Sequence, residues 1–183
     1  MKLIKYGALL IMGSGLIFQA QARDFMNMTP KIVRESEIQS GATNVEAAQN
    51  NEQVIKILLG ADDTAGQFSM FSDVFTQKDS LVPLHSHRWH DEAFYVVNGR
   101  FEVVLGSEDK KEIVNAGTAI FVPRGTLHGF KSLDENSKFL IMYTPGGWEH
   151  YYRESIKLKP EQREGENFMK RFKESYDSYD PQN

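Results

Sequence analysis

The chain has 183 residues, no cysteine and a formal net charge of −4 at pH 7. That length fits one domain of ordinary size with a sufficient core, and the missing cysteines exclude disulfides and an anchor through a lipidated cysteine. No basic cluster stands out, so neither a nucleic acid nor an anionic membrane is an expected partner.

The first 22 residues read as an address. Lys2 and Lys5 form a positive n-region, Tyr6 to Phe18 an apolar h-region broken by Gly7, Gly13 and Gly15, and Ala20-Gln21-Ala22 a small-residue cleavage site. The apolar run is shorter than the roughly 20 residues a membrane-spanning helix needs. Residues 1–22 are therefore expected to be a signal peptide, and the protein to be periplasmic or secreted, with no stable membrane insertion after cleavage. Removing them leaves 161 residues and takes away two lysines, which lowers the net charge to −6.

Residues 23–53 form a polar N-terminal arm, expected to be irregular, with Val45 to Asn51 a short helix or a loop. A barrel is expected over 54–147, because short apolar runs alternate there with turn signals. The runs are Val54 to Leu59, Gln67 to Thr76, Ala93 to Val97, Phe101 to Leu105, Lys111 to Asn115, Ala119 to Val122 and Phe139 to Tyr143. Turn residues fall between them, among them Asn98-Gly99 and Ala116-Gly117. Many short strands at this spacing predict an all-β antiparallel sandwich or barrel. After Pro145-Gly146-Gly147 the period changes, and 148–183 reads as a C-terminal helical segment and tail. Trp148 to Ile156 and Pro160 to Tyr176 look helical, the second with Phe168, Phe172 and Tyr176 on one face. That stripe is expected to pack on the barrel or on a second subunit, and either it or a sheet edge is the candidate surface for a homodimer. Residues from Asp177 to Asn183 are expected to fray.

Within the barrel run, three histidines and a glutamate share one register. Side chains two apart on a strand face the same way, so His85 and His87 can project toward one interior. Four residues separate His87 from Glu92, which stands at the head of a strand that enters the Asn98-Gly99 hairpin turn. A fourth donor, His128, follows the strand Ala119 to Val122 and the turn at Pro123 and Gly125. Imidazole and carboxylate donors suit a divalent first-row metal, and four protein ligands leave a position open for water, oxygen or substrate. Fe, Mn, Ni, Cu, Co and Zn are all candidates. His90 and His150 do not fit the ligand spacing and read as polar residues satisfied by neighbours. Tyr143 and Trp148 read as packing residues, and Phe94, Val96 and Tyr143 as the apolar wall of the site.

These residues resemble the cupin superfamily. Its first motif, Gly-x5-His-x-His-x3–4-Glu-x6-Gly, is matched at His85, His87, Glu92 and Gly99, and its second, Gly-x5-Pro-x-Gly-x2-His-x3-Asn, at Gly117, Pro123, Gly125 and His128. Asp79 stands where the leading glycine is expected and Ser132 where the asparagine is; neither position is a metal ligand in the family. A finer similarity to single-domain cupins related to quercetin 2,3-dioxygenase covers residues 56 to 155, through Asp62 to Gly66, Asp91 to Val97, and Thr144 to Gly147 with Glu149. The resemblance implies a jelly-roll barrel holding one metal on His85, His87, Glu92 and His128.

The leading functional expectation is an exported metal-dependent dioxygenase acting on a small enol or phenolic, flavonol-like compound. Glu92 would be both a ligand and the catalytic proton acceptor. The flavonol rests on resemblance alone. A metal-dependent isomerase or lyase would use the same metal as a Lewis acid without oxygen, and a non-catalytic cupin would hold a small molecule without turnover.

The leader supplies the first prediction. Mass spectrometry of the protein recovered from its native compartment is expected to show Arg23 as the first residue. A soluble cytosolic pool that retains Met1 to Ala22 would reject the export assignment.

Overall fold

The computed structural model describes residues 28–38 and 53–181. Two compact units divide the chain, Met1–Lys31 and Ile32–Asn183, and all the regular structure described lies in the second. The expected leader and the segment Val45 to Asn51 lie outside the described residues.

The described residues hold nine strands: β1 Gln53–Leu59, β2 Ser69–Phe75, β3 Leu81–His85, β4 Asp91–Asn98, β5 Arg100–Leu105, β6 Lys111–Asn115, β7 Ala119–Val122, β8 His128–Ser132 and β9 Ser137–Thr144. All pair antiparallel, in a five-stranded sheet ordered β1-β2-β9-β4-β7 and a four-stranded sheet ordered β3-β8-β5-β6. This interleaved order is a jelly roll. In β4 the period-two rule holds residue by residue: Glu92, Phe94 and Val96 are buried, while Ala93, Tyr95 and Val97 are exposed. β3 was not among the expected apolar runs, because Pro83 and the exposed Leu81 hide its alternation.

Phenylalanine fills the space between the sheets. Phe139 stacks on Phe101 at 3.8 Å and meets Phe75, Phe94 and Phe130 edge-on or tilted at 5.3–6.0 Å. Each such ring, fully removed from water, contributes about 2–3 kcal/mol. The hairpin between β4 and β5 is fixed by Gly99. Its φ is +76°, and a Cβ there would lie 2.1 Å from Ser137 Oγ, so no other residue fits.

The two departures from the cupin pattern meet in one turn. Asp79 has φ +66°, the left-handed region a glycine would occupy freely and an aspartate tolerates. Its N–H donates to Ser132 O at 2.9 Å, while Ser132 Oγ accepts from Ser80 N and donates to Gln77 O. Local turn geometry is thereby kept by two compensating residues.

Three helices follow β9: α1 Glu149–Ser155, α2 Pro160–Arg163 and α3 Glu166–Ser175. The expected single helix from Pro160 to Tyr176 is thus two. Gly165 is extended at the start of α3 (ψ 98°), consistent with glycine's poor helix propensity. The aromatic stripe packs inward: Phe172 and Tyr176 lie 5.6 and 6.0 Å from Tyr151 of α1. Buried Glu149 joins α1 to the loop before β2, accepting from Ala61 N, Ser69 Oγ and Gly147 N. The two outer segments of the finer resemblance, 62–66 and 144–149, are therefore spatial neighbours.

Two further expectations are corrected. Part of the arm is anchored, since Glu35, in a 3₁₀ turn, accepts from Ser72 Oγ and from Lys138 Nζ on the sheet. The stretch Asp177 to Asp180 is not frayed: Ser86 and Tyr179 exchange backbone hydrogen bonds at 2.9 and 3.0 Å, and Asp177 is buried; the last two residues of the chain lie outside the described residues.

Asp73 points into the barrel from β2 beside Phe71 and Phe75. Gln53 Nε2 reaches one carboxyl oxygen at 3.3 Å; the other has no partner among the described residues. Burial pushes its pKa up to about 8. The folded chain then binds a proton that the unfolded chain has released, so this group lowers stability as pH rises from about 4 to about 8, by about 1.4 kcal/mol per unit crossed at most. Asp73→Asn keeps the shape and removes the charge. Urea unfolding is expected to show the variant several kcal/mol more stable than wild type at pH 8 and equal to it near pH 4. A difference independent of pH would refute the assignment of a buried neutral carboxyl.

Candidate metal centre

The four expected ligands converge from both sheets. His85 ends β3 and pairs in register with His128, which opens β8. Glu92 faces them from β4 of the other sheet. His87 lies two residues beyond the end of β3, in an irregular stretch, so the expectation that both histidines sit within one strand holds only for His85. The alternation nevertheless persists past the strand end, and the two rings lie 4.9 Å apart. One donor atom from each of the four residues falls within 4.8 Å of every other. His90 and His150 are not part of this cluster.

Hydrogen bonding fixes which nitrogen each imidazole presents. Nδ1 of His85 bonds Pro83 O at 2.9 Å, Nδ1 of His128 bonds Thr126 O at 2.9 Å, and Nδ1 of His87 bonds Asp177 O at 2.6 Å. A carbonyl only accepts, so in the neutral ring each Nδ1 carries the proton and each Nε2 is bare. His87 Nε2 then faces Glu92 Oε1 at 3.0 Å, and His128 Nε2 faces Oε2 at 2.9 Å. These four atoms are buried and lack a hydrogen-bond partner among the described residues. Lone pairs placed against a carboxylate in a buried site repel unless a cation or an added proton lies between them. The residues present therefore fit a divalent metal, and the cluster is able to bind one.

Where no metal lies between them, an added proton takes that place. Burial opposes an ionised Glu92, but His128 and His87 outweigh it and hold the carboxyl well below the usual range. Burial likewise opposes charge on His87, yet the facing Glu92 raises its pKa. Burial and the neighbouring imidazoles push His85 down to about 3, which leaves its lone pair available.

A wall of aromatics borders the cluster. Tyr143 is the direct cross-strand partner of Glu92 in the β4–β9 ladder, and burial, then the carboxylate, raises its pKa well above the ordinary value. Trp148 stacks on Tyr143 at 5.1 Å and stands edge-on to His87 at 4.5 Å. Both pack, as expected, and both also adjoin the site. Phe94 sits one pleat deeper and meets Phe130 at 4.6 Å. Val96 is two pleats deeper, about 13 Å along the strand from Glu92, and belongs to the core, not to the wall. Arg124 grips Asp91 through its backbone N–H, Nε and Nη2, which ties the turn before His128 to the start of β4.

Sequence reasoning missed Asp177, while His90 is, as expected, a polar residue satisfied by a neighbour. The Asp177 carboxylate accepts from the backbone N–H groups of Arg88, Trp89 and His90 and from His90 Nδ1. Its separation of about ninety positions from these partners leaves no local signal to find it by.

Comparison with known proteins agrees with this geometry. A cupin domain model matches residues 75–143. The pectin degradation protein KdgF of Dickeya dadantii is 33% identical over 90 residues, which cover 49% of this chain and 76% of that protein. Quercetin 2,3-dioxygenase of Bacillus subtilis is 26% identical over 102 residues, 56% of this chain but only 29% of the enzyme's length. Among solved structures, KdgF from Halomonas sp. superposes with a TM-score of 0.54 at 25% identity, over 64% of this chain and 96% of that one. The chain belongs to the cupin superfamily.

The donor set makes a direct prediction. Purified wild-type protein is expected to carry one divalent metal per chain, and His87→Ala to lower occupancy strongly. Equal metal by elemental analysis in wild type and in a His85→Ala/His87→Ala double variant would exclude this centre as the metal site.

Proposed function

We propose that this chain is an exported metal-dependent cupin enzyme, a dioxygenase that acts on a small enol- or phenol-bearing compound. The observation that carries the reading is the convergence of three imidazoles, each with Nδ1 engaged by a backbone carbonyl, and one carboxylate in an aromatic-walled site. His85, His87, Glu92 and His128 would hold the metal. Bound there, a first-row divalent ion would supply Lewis acidity toward a substrate oxygen and, for the redox-active metals, access to dioxygen.

The chain's own residues then have separable tasks. Glu92 is ionised and buried, so it can accept the hydroxyl proton of an enol or phenol brought within hydrogen-bond reach. Tyr143, raised in pKa beside it, stays protonated and can donate to a substrate oxygen. Trp148 and Phe94 exclude water from one side, which strengthens every polar contact inside. Flavonols are one compound class with the required enol; the choice among enols rests on the quercetin 2,3-dioxygenase similarity over less than a third of that enzyme.

One observation favours a second reading, a metal-dependent isomerase or lyase that needs no oxygen. The similarity to the pectin degradation protein KdgF spans 76% of that protein, against 29% for the dioxygenase. The same Glu92 would then move a proton between two carbons or from carbon to oxygen.

An oxygen-electrode screen of enols and phenols separates the two. Turnover is expected to consume dioxygen and to stop under anaerobic conditions; full anaerobic turnover overturns the dioxygenase. Glu92→Gln, which keeps a donor oxygen and removes the base, is expected to retain much of the metal and to lose at least about 100-fold in kcat. Unchanged turnover in that variant would remove Glu92 from its role while leaving the reaction class standing.

A further inference from the structure

We infer that the C-terminal strap, residues 177–180, is a positioning device for the metal centre, and that Asp177 sets the affinity of the site through His87. The inference rests on the reading of His85, His87, Glu92 and His128 as ligands.

The three histidines are not held alike. His85 and His128 belong to paired strands, and the carbonyls that accept from their Nδ1 atoms lie two residues back in the same segment. They are oriented by their own sheet. His87 lies beyond β3, in a stretch from Ser86 to His90 that no neighbouring strand of the barrel covers. Its Nδ1 partner is the carbonyl of Asp177, 2.6 Å away and ninety residues on.

Asp177 grips that stretch at both of its groups. The carbonyl orients the His87 ring, while the carboxylate gathers the next three backbone N–H groups: Arg88 at 2.8 Å on Oδ1, Trp89 at 2.8 Å and His90 at 3.1 Å on Oδ2. His90 Nδ1 adds a bond to Oδ2 at 2.7 Å. Three amides and an imidazole on one buried carboxylate are charge-assisted contacts, about twice the strength of neutral ones. The backbone of Asp177 itself is left-handed, with φ +67°.

The strap is fastened on the other side to α3. Asp177 N donates to Glu174 O and Ser178 N to Lys173 O, at 3.1 and 2.9 Å, and Lys173 Nζ pairs with Asp180. Tyr179 closes a two-way bridge with Ser86, and the Arg88 guanidinium lies 3.8 Å above the Tyr179 ring. The His87 backbone is held by the barrel's own turn, where Gly125 N donates to His87 O, while its ring is oriented by a segment outside the barrel. Outer partners of metal-bound histidines are worth about 10- to 100-fold in metal affinity.

The test uses the full mature chain stripped of metal with a chelator, then titrated with Co(II) and followed by visible absorption and calorimetry. Asp177→Gly keeps the left-handed backbone within easy reach and removes the carboxylate; Asp177→Asn keeps one acceptor oxygen. A third variant ends at Tyr176. Affinity for Co(II) is expected to fall about 10- to 100-fold in the truncated chain, less in Asp177→Gly and least in Asp177→Asn, with a changed cobalt spectrum where His87 no longer binds squarely. Hydrogen exchange at residues 88–90 is expected to quicken in the same order. A strap that only stabilises the fold would lower the thermal midpoint of the metal-free protein and leave Co(II) affinity within twofold, which overturns the inference. If the truncated chain does not fold, Asp177→Gly decides the matter alone. Wild type that takes up no Co(II) would overturn the ligand reading itself, an outcome distinct from equal affinity in all four proteins.

Discussion

A carboxylate set against bare imidazole nitrogens, out of water, is the interaction on which the rest of this structure depends. Glu92 lies 3.0 and 2.9 Å from His87 and His128, and every Nδ1 is already committed to a backbone carbonyl. Such a cluster is costly without a cation, because its members are acceptors facing acceptors. The fold offsets that cost by rigidity. Antiparallel ladders hold His85 opposite His128, β4 brings Glu92 from the facing sheet, and a packed cluster of phenylalanines keeps the two sheets at a fixed spacing. Metal binding would couple to stability by mass action, about 2.7 kcal/mol at a hundredfold excess over Kd.

Much of this was legible in the sequence, and the reasons are local. Short apolar runs bounded by turn residues found seven strands, because a strand and its turns write their pattern in adjacent residues. The His85–His87 spacing marked the site even though β3 stops at His85, since the alternation of side chains outlasts the ladder by two residues. Asn98-Gly99 marked a hairpin that only glycine can make. Asp79 and Ser132 were visible as departures, yet that one compensates the other could be seen only when the turn was closed in space.

What was not legible depends on distance along the chain or on competition between weak signals. Asp177 carries no periodicity, sits among polar residues near the end and looks like a solvated tail; its partners are ninety residues away. The break at Gly165 was hidden inside a helical period that runs on both sides of it. Val96 was placed at the site because it shares a face with Glu92, but a shared face is not a shared depth: four residues of strand carry it into the core.

The helices after β9 are part of the centre's architecture. Trp148 packs into the same buried cluster as Tyr143 and Phe71, and Tyr151, Tyr152 and Tyr176 lie against that cluster. Trp148 in turn faces His87 from one side while Asp177, carried just beyond α3, holds it from the other. One ligand is therefore clamped between the two ends of the C-terminal segment. A barrel that supplied all its ligands from strands would fix the metal and leave its properties nearly independent of anything outside. Here the ring of one ligand of four is oriented by an element outside the barrel. Changes in α3 or in the strap can tune metal affinity and the open coordination position while the barrel core stays as it is, since packed cores resist graded deformation and peripheral segments do not.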